Sequence, residues 1–314
     1  MLSFLPAPIK GIIASILLLA HTMIWTPLLF TMAVIKLLLP FKIVRKVTDP
    51  IIIGIAESWI CCNSVWMHLI QRLDYKVTGL DKLNHDGWYL VTSNHQSWSD
   101  ITILQHVFNR KIPFFKFFLK QELIWVPIMG INWWALEFPF MKRYSKEFLK
   151  KNPHLKGKDM ETTRKTCEKY KHTPVAIFNF LEGTRFTKAK HERQNSPYKH
   201  LLKPKAGGVA FTLEAMDGLI NKLVNITIVY EEGTPMDYWS FMCGKVNKAT
   251  IHVEEVEIPA NLLKGNYTDD PEFRESFQNW ISDLWQEKDD LITKIKSGAH
   301  ASEQHAIEDQ IRTA

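Results

Sequence analysis

Residues 11–35 hold no formally charged side chain, and Lys36 is the only one as far as residue 39. A helix crosses the hydrocarbon core of a bilayer with about 20 predominantly apolar residues, so this run is long enough to do so. It is too long for the apolar part of a signal peptide, which is about 7–15 residues and follows a basic start. Lys10 is the first charged side chain, whereas Lys42, Arg45 and Lys46 follow the run closely. That excess of basic residues predicts that the part of the chain beyond it faces the cytoplasm. A second apolar stretch, residues 51–70, is interrupted by Glu57, Asn63 and His68 and carries Trp59 and Trp66. This pattern suits an interfacial helix, or a core helix, better than a span. From Tyr75 onward charges become frequent between short apolar runs, which places the start of a domain at about residue 72. The expected division is a membrane-embedded or interfacial helical region over 1–71 and a cytoplasmic domain over 72–314.

Among 314 residues, 39 Lys and Arg stand against 33 Asp and Glu, a formal net charge of +6. The sign favours anionic partners, which include lipid headgroups, coenzyme A, an acidic carrier protein and nucleic acid. No helix-turn-helix, zinc-finger or single-strand-binding signature accompanies the basic residues, so a nucleic-acid partner is not expected. Cys61, Cys62, Cys167 and Cys243 form no CxxC or similar spacing, which points to neither a disulfide framework nor a structural metal.

Within the second region, residues 88–92, 175–180 and 225–230 read as short buried strands. Residues 99–108 and 159–170 read as helices, and the alternation predicts an α/β fold. Near the end, Phe273, Phe277, Trp280, Ile281, Leu284 and Trp285 recur at helical spacing, with Lys288, Asp289 and Asp290 after them. Such a stripe is expected to pack.

The segment Asn94-His95-Gln96-Ser97-Trp98-Ser99-Asp100 falls between a predicted strand and a predicted helix. Residues five apart on a regular helix point about 140° from one another, so His95 and Asp100 meet only if His95 lies in the turn before the helix. Asp100 could then accept a hydrogen bond from one imidazole nitrogen and fix the tautomer. The other nitrogen is left to take a proton from a hydroxyl. The competing reading is that Asn94 and His95 merely cap the helix. A second motif, Phe180-Leu181-Glu182-Gly183-Thr184-Arg185, again follows an apolar strand. Gly183 permits a tight turn, Thr184 offers a hydroxyl, and Arg185 offers a planar fork suited to phosphate.

Together, Asn-His-x-x-x-x-Asp and Glu-Gly-Thr-Arg resemble the first and third sequence blocks of the glycerolipid acyltransferases, the family that includes 1-acylglycerol-3-phosphate acyltransferases. A second block is similar to Glu122, Pro127 and Gly130 followed by Phe140-Met141-Lys142-Arg143. A fourth corresponds to residues 225–230, after Lys205-Ala206-Gly207-Gly208. The text after Arg185, and later Trp285-Gln286-Glu287-Lys288-Asp289, looks like a branch holding lysocardiolipin-type and bacterial inner-membrane members. Leu181 departs from the Pro that many phosphatidate-forming members carry there, which bears on the acceptor rather than the chemistry.

The resemblance implies an acyltransferase-type mixed sheet flanked by helices, behind an N-terminal membrane-associated helical segment. It implies that His95 is the general base, oriented by Asp100, for transfer of an acyl group from acyl-CoA or acyl-carrier protein to the sn-2 hydroxyl of 1-acyl-glycerol-3-phosphate. Arg143, Glu182, Gly183, Thr184, Arg185 and Lys205 would bind substrate, at a bacterial inner membrane, with neither cofactor nor metal. The absence of GxSxG, HExxH and a compelling zinc cluster argues against a serine lipase or a metalloenzyme, but a hydrolase that activates water with the same His and Asp stays open. A silent lipid-binding protein is the rival from another class.

Overall fold

The computed structural model describes residues 2–141, 158–171 and 173–298. Its first two helices, α1 (Ala7–Leu38) and α2 (Lys42–Ile70), form an antiparallel hairpin. The pairing is fixed along its length: the Leu2 amide donates to the Leu69 carbonyl, Trp59 Nε1 to Thr22 Oγ1 at 2.9 Å, and Lys36 pairs with Asp49 at 2.6 Å. The second apolar stretch thus begins earlier than its composition suggested, because Lys and Arg are good helix formers and extend the helix back to Lys42. On one face of α2, Ile52, Ala56, Ile60, Asn63, Met67 and Ile70 are buried at three- and four-residue spacing. Ile43, Val47, Ile51 and Val65 stay exposed on the other.

The rest is an α/β unit around a six-stranded sheet in the order β1-β8-β7-β2-β6-β3. The strands are β1 (Asp74–Thr78), β2 (Trp88–Ser93), β3 (Phe115–Phe117), β6 (Val175–Phe180), β7 (Lys222–Tyr230) and β8 (Lys248–Glu257). Two short strands, β4 (Leu119–Lys120) and β5 (Phe140–Met141), pair separately. The helices are α3 (Ser99–Phe108), α4 (Met129–Ala135), α5 (Lys158–Tyr170), α6 (Lys188–Gln194), α7 (Gly207–Met216), α8 (Tyr238–Met242) and α9 (Pro271–Ser297). Among the described residues only β7 and β8 pair antiparallel, so the sheet is mixed as expected.

The three strands legible in the sequence are the adjacent central ones, β7, β2 and β6. Helices cover both faces there, so each reads as a nearly continuous apolar run. Successive residues serve opposite cores: Tyr89 and Val91 of β2 join Ala176 and Phe178 of β6 on the hairpin side, while Leu90 and Ile177 join α7 and α9 on the other. The strands of this sheet that were missed lie toward its edges, β1 and β8 on one side and β3 on the other. In β8, buried Ala249, Ile251 and Val253 alternate with polar residues. Because β2, β6 and β7 are parallel, their carboxyl ends fall together, a common place for a site in an α/β sheet.

Candidate active site

Three carboxyl ends build the site. β2 delivers Asn94 and His95, β6 delivers Glu182 to Arg185, and β7 delivers Tyr230. Asn94 is buried and replaces a ladder partner: its amide donates to the Ile228 carbonyl and its oxygen accepts the Ile228 N–H, both at 2.9 Å. That clamp holds β2 to β7 after regular pairing ends, and it leaves His95 in the turn before α3. The capping reading therefore does not describe Asn94, whose side chain points into the sheet.

His95 Nδ1 lies 2.8 Å from Asp100 Oδ2. The same oxygen accepts the Gln96 and Ser97 amides at 2.7 and 2.9 Å, and Asp100 Oδ1 accepts the Tyr230 hydroxyl at 2.5 Å. Asp100 is completely buried. Four hydrogen-bond donors thus converge on its two oxygens, the number of partners that a buried carboxyl group needs. Burial and the neighbouring Asp100 raise Tyr230 well above the ordinary phenol range, so it remains a donor. A carboxyl oxygen at Nδ1 favours the tautomer that donates from that nitrogen and leaves Nε2 as the acceptor. The ring stacks on Phe180, with centroids 4.0 Å apart and planes 16° from parallel.

The second motif closes around this turn. Gly183 adopts φ of 66°, where a side chain would strain the backbone. The Phe186 amide donates to the His95 carbonyl at 2.7 Å. Glu182 is fully buried, and its two oxygens accept the His95 amide at 2.8 Å and the Leu202 amide at 3.0 Å. Burial raises its carboxyl to about 7, against the pull of those amides. Glu182 was expected to touch substrate; in this geometry its oxygens are spent on the backbone, because a buried carboxylate needs donors at both. Thr184 Oγ1 accepts from Lys190 Nζ at 2.8 Å, and the Arg185 guanidinium lies 4.6 Å from the Trp98 ring centre. Lys205 brings its Nζ beside Gly183, 3.1 Å from where a Cβ would stand. Arg143 lies outside the described residues.

His95 opens on a cavity of about 570 Å³ between the hairpin and the sheet domain. Trp25, Leu29 and Ile55 of the hairpin face Phe117, Phe138 and Tyr238 across it. One imidazole nitrogen with a free lone pair, an apolar cavity on one side and cations on the other can deprotonate a hydroxyl whose molecule carries both a chain and a phosphate. Sequence reasoning missed Tyr230, the pairing of Asn94 and the stacking of Phe180. Their only signal was position at strand ends.

A sequence model of the acyltransferase family matches residues 74–231, half of the chain. The human 1-acyl-sn-glycerol-3-phosphate acyltransferase delta is 26% identical over 184 residues, covering 55% of this chain and 43% of that protein. The mouse gamma enzyme is 26% identical over 191 residues, covering 58% and 46%. The matched stretch therefore spans less than half the length of these curated relatives. The crystal structure of the 1-acyl-sn-glycerophosphate acyltransferase from Thermotoga maritima superposes with a TM-score of 0.53 at 16% identity, covering 91% of this chain and 98% of that one, a likeness of fold.

Proposed function

Because the chain belongs to the acyltransferase family, we propose that it transfers a fatty acyl group from an acyl thioester, acyl-CoA or acyl-carrier protein, to the sn-2 hydroxyl of 1-acyl-glycerol-3-phosphate, forming phosphatidic acid. The observation that carries this reading is the buried His95–Asp100 pair at the mouth of an apolar cavity. Nε2 of His95 takes the hydroxyl proton as the acceptor oxygen attacks the thioester carbonyl. Asp100 stabilises the imidazolium, and the tetrahedral adduct collapses by expelling the thiolate, which recovers the proton. Arg185 and Lys205, with Arg143 by family resemblance, hold the acceptor phosphate, while a hydrocarbon chain lies in the cavity.

The hairpin supports a placement in one leaflet. Both helices are long and apolar enough to cross a membrane, but the sheet domain touches α1 near both ends. Gly11 abuts Trp239 and Cys243, Thr26 accepts from Asn132, and Lys36 pairs with Glu137 at 2.9 Å. From Gly11 to Lys36 is about 38 Å of helix at 1.5 Å per residue. A helix flanked by its own domain over that length lies along the membrane surface. Exposed Ile12, Ile16, Leu19 and Met23 then enter lipid, joined by exposed Trp125, just before α4, and Ile131 and Trp134 on it. The basic residues around the hairpin favour the cytoplasmic leaflet, and the branch resemblance a bacterial inner membrane.

Purified, detergent-solubilised protein given labelled oleoyl-CoA and lysophosphatidic acid, beside other lysolipids, should form phosphatidic acid, and His95→Ala should not. Label released only as free fatty acid would make it a hydrolase. No turnover with any acceptor or with an acyl-carrier donor would reduce it to a lipid-binding protein.

A further inference from the structure

Trp285, Lys288 and Asp289 lie on α9, well beyond the residues that the family match covers, and none of them lines the cavity beside His95. All three are nonetheless buried. We propose that α9 is a positioning element for the reaction, whose Trp285, Lys288 and Asp289 fix the loop and strand that hold Glu182 and Asn94, and through them the backbone of the His95 turn.

The connections can be followed bond by bond. Asp289 accepts the amides of Lys199 and His200, one on each carboxylate oxygen and both at 2.7 Å. Trp285 Nε1 donates to the Leu202 carbonyl at 3.0 Å. The Leu202 amide donates in turn to Glu182 Oε2, and Glu182 Oε1 accepts the His95 amide. Three residues of an irregular loop, Lys199, His200 and Leu202, are thus held by α9, and Leu202 in turn holds Glu182 and through it the catalytic turn. A second branch runs through the sheet. Lys288 Nζ donates to the Ile226 carbonyl and to Thr227 Oγ1 on β7, immediately before the Ile228 peptide that pairs with Asn94.

The chemistry of these groups fits placement better than stability. Burying an ammonium and a carboxylate is costly, and apolar replacements of buried ion pairs are often neutral or stabilising. Burial pushes Lys288 down to about 7 and Glu182 up to about 7, and the charge of each draws the other back toward its ionised form. Glu254 on β8 also favours the Lys288 cation, while Asp100 opposes the Glu182 anion. An ionised Glu182 accepts fully at both oxygens, which the two amides face; protonation makes one of those oxygens a weaker acceptor.

The test uses the full chain in detergent. Trp285→Phe keeps the ring packing and removes one donor; Asp289→Asn keeps the shape and one acceptor, and guards against a misfolded first variant. Both should lower kcat about tenfold or more with KM for donor and acceptor unchanged, since small misplacements at a site cost rates of this order. Hydrogen exchange should quicken at residues 94–97 and stay unchanged in β1 and β8. Lys288→Met should move the rise of kcat with pH to higher pH, because Glu182 loses its cation and holds its proton longer, whereas Trp285→Phe should leave that limb in place. Wild-type kcat in both Trp285→Phe and Asp289→Asn, or exchange that quickens equally in β1, β8 and residues 94–97, would overturn the proposal. The kinetic readout rests on the transfer reading and the exchange readout does not. An inactive wild type would therefore sink the transfer reading alone, leaving exchange at residues 94–97 to decide for or against the relay.

Discussion

Replacing Asp100 by Asn separates the charge of the catalytic pair from its geometry. Three N–H groups converge on Asp100 Oδ2, from the His95 ring and the Gln96 and Ser97 amides. The amide oxygen of an Asn must take that position, because an NH2 there would face three donors. Its NH2 then meets the Tyr230 hydroxyl, which can turn from donor to acceptor. All four contacts survive, and only the negative charge is lost. An imidazolium and a carboxylate about 4 Å apart attract by about 4 kcal/mol at an effective dielectric constant of 20, which corresponds to roughly a thousandfold in rate. Steady-state kinetics should show that loss in kcat, with KM for thioester and lysolipid little changed and with a thermal midpoint close to wild type. Asp100→Ala is a poorer probe. It strands the Gln96 and Ser97 amides and the Tyr230 hydroxyl, each a buried donor worth about 1–3 kcal/mol when left unpaired, and so confuses catalysis with unfolding. Should Asp100→Asn keep kcat within about tenfold of wild type, stabilisation of the imidazolium by the carboxylate would not be the source of the rate.

Gly130→Ala would place a Cβ 2.0 Å from the Ile124 carbonyl oxygen. It should destabilise the 121–135 segment by about 1–3 kcal/mol, measured as a lower thermal midpoint; an unchanged midpoint would mean the segment relaxes freely. Lys116 is buried against Phe114, Phe138 and Tyr170, and burial, partly offset by Glu137, pushes it down to about 8 from 10.5. A base depressed in the folded state adds stability as pH rises from the folded to the unfolded value and forfeits it on the way down. Wild type should therefore gain up to about 3 kcal/mol over Lys116→Met between those two values in denaturant titrations, and a pH-independent difference would refute the burial argument. Trp125→Ser and Trp134→Ser should each weaken binding to anionic vesicles by about tenfold or more in flotation assays, as expected for removing a large apolar side chain from lipid. Undiminished flotation would remove this face from the membrane.

The sequence by itself determined the elements whose signal is local. The uncharged run became α1, the three continuous apolar runs became the central strands, and helix geometry made a turn before α3 the condition for His95 to meet Asp100. It also supplied most of the residues around the base, because a strand-to-helix turn places neighbours in sequence beside one another in space. Tertiary structure decided what depended on distant partners. Tyr230 reaches Asp100 only because β7 lies next to β2, and Glu182 holds the His95 amide only because β6 ends level with β2. The hairpin was judged by composition, yet its burial of one α2 face depends on the sheet beneath it. On α9 the helical stripe does not stop at Trp285: Ile281, Leu284, Trp285, Lys288, Asp289 and Ile292 continue one buried face. Charge alone suggested solvent for Lys288 and Asp289. Both are buried, because only the folded chain provides the carbonyl, the hydroxyl and the two amides that make burying them tolerable.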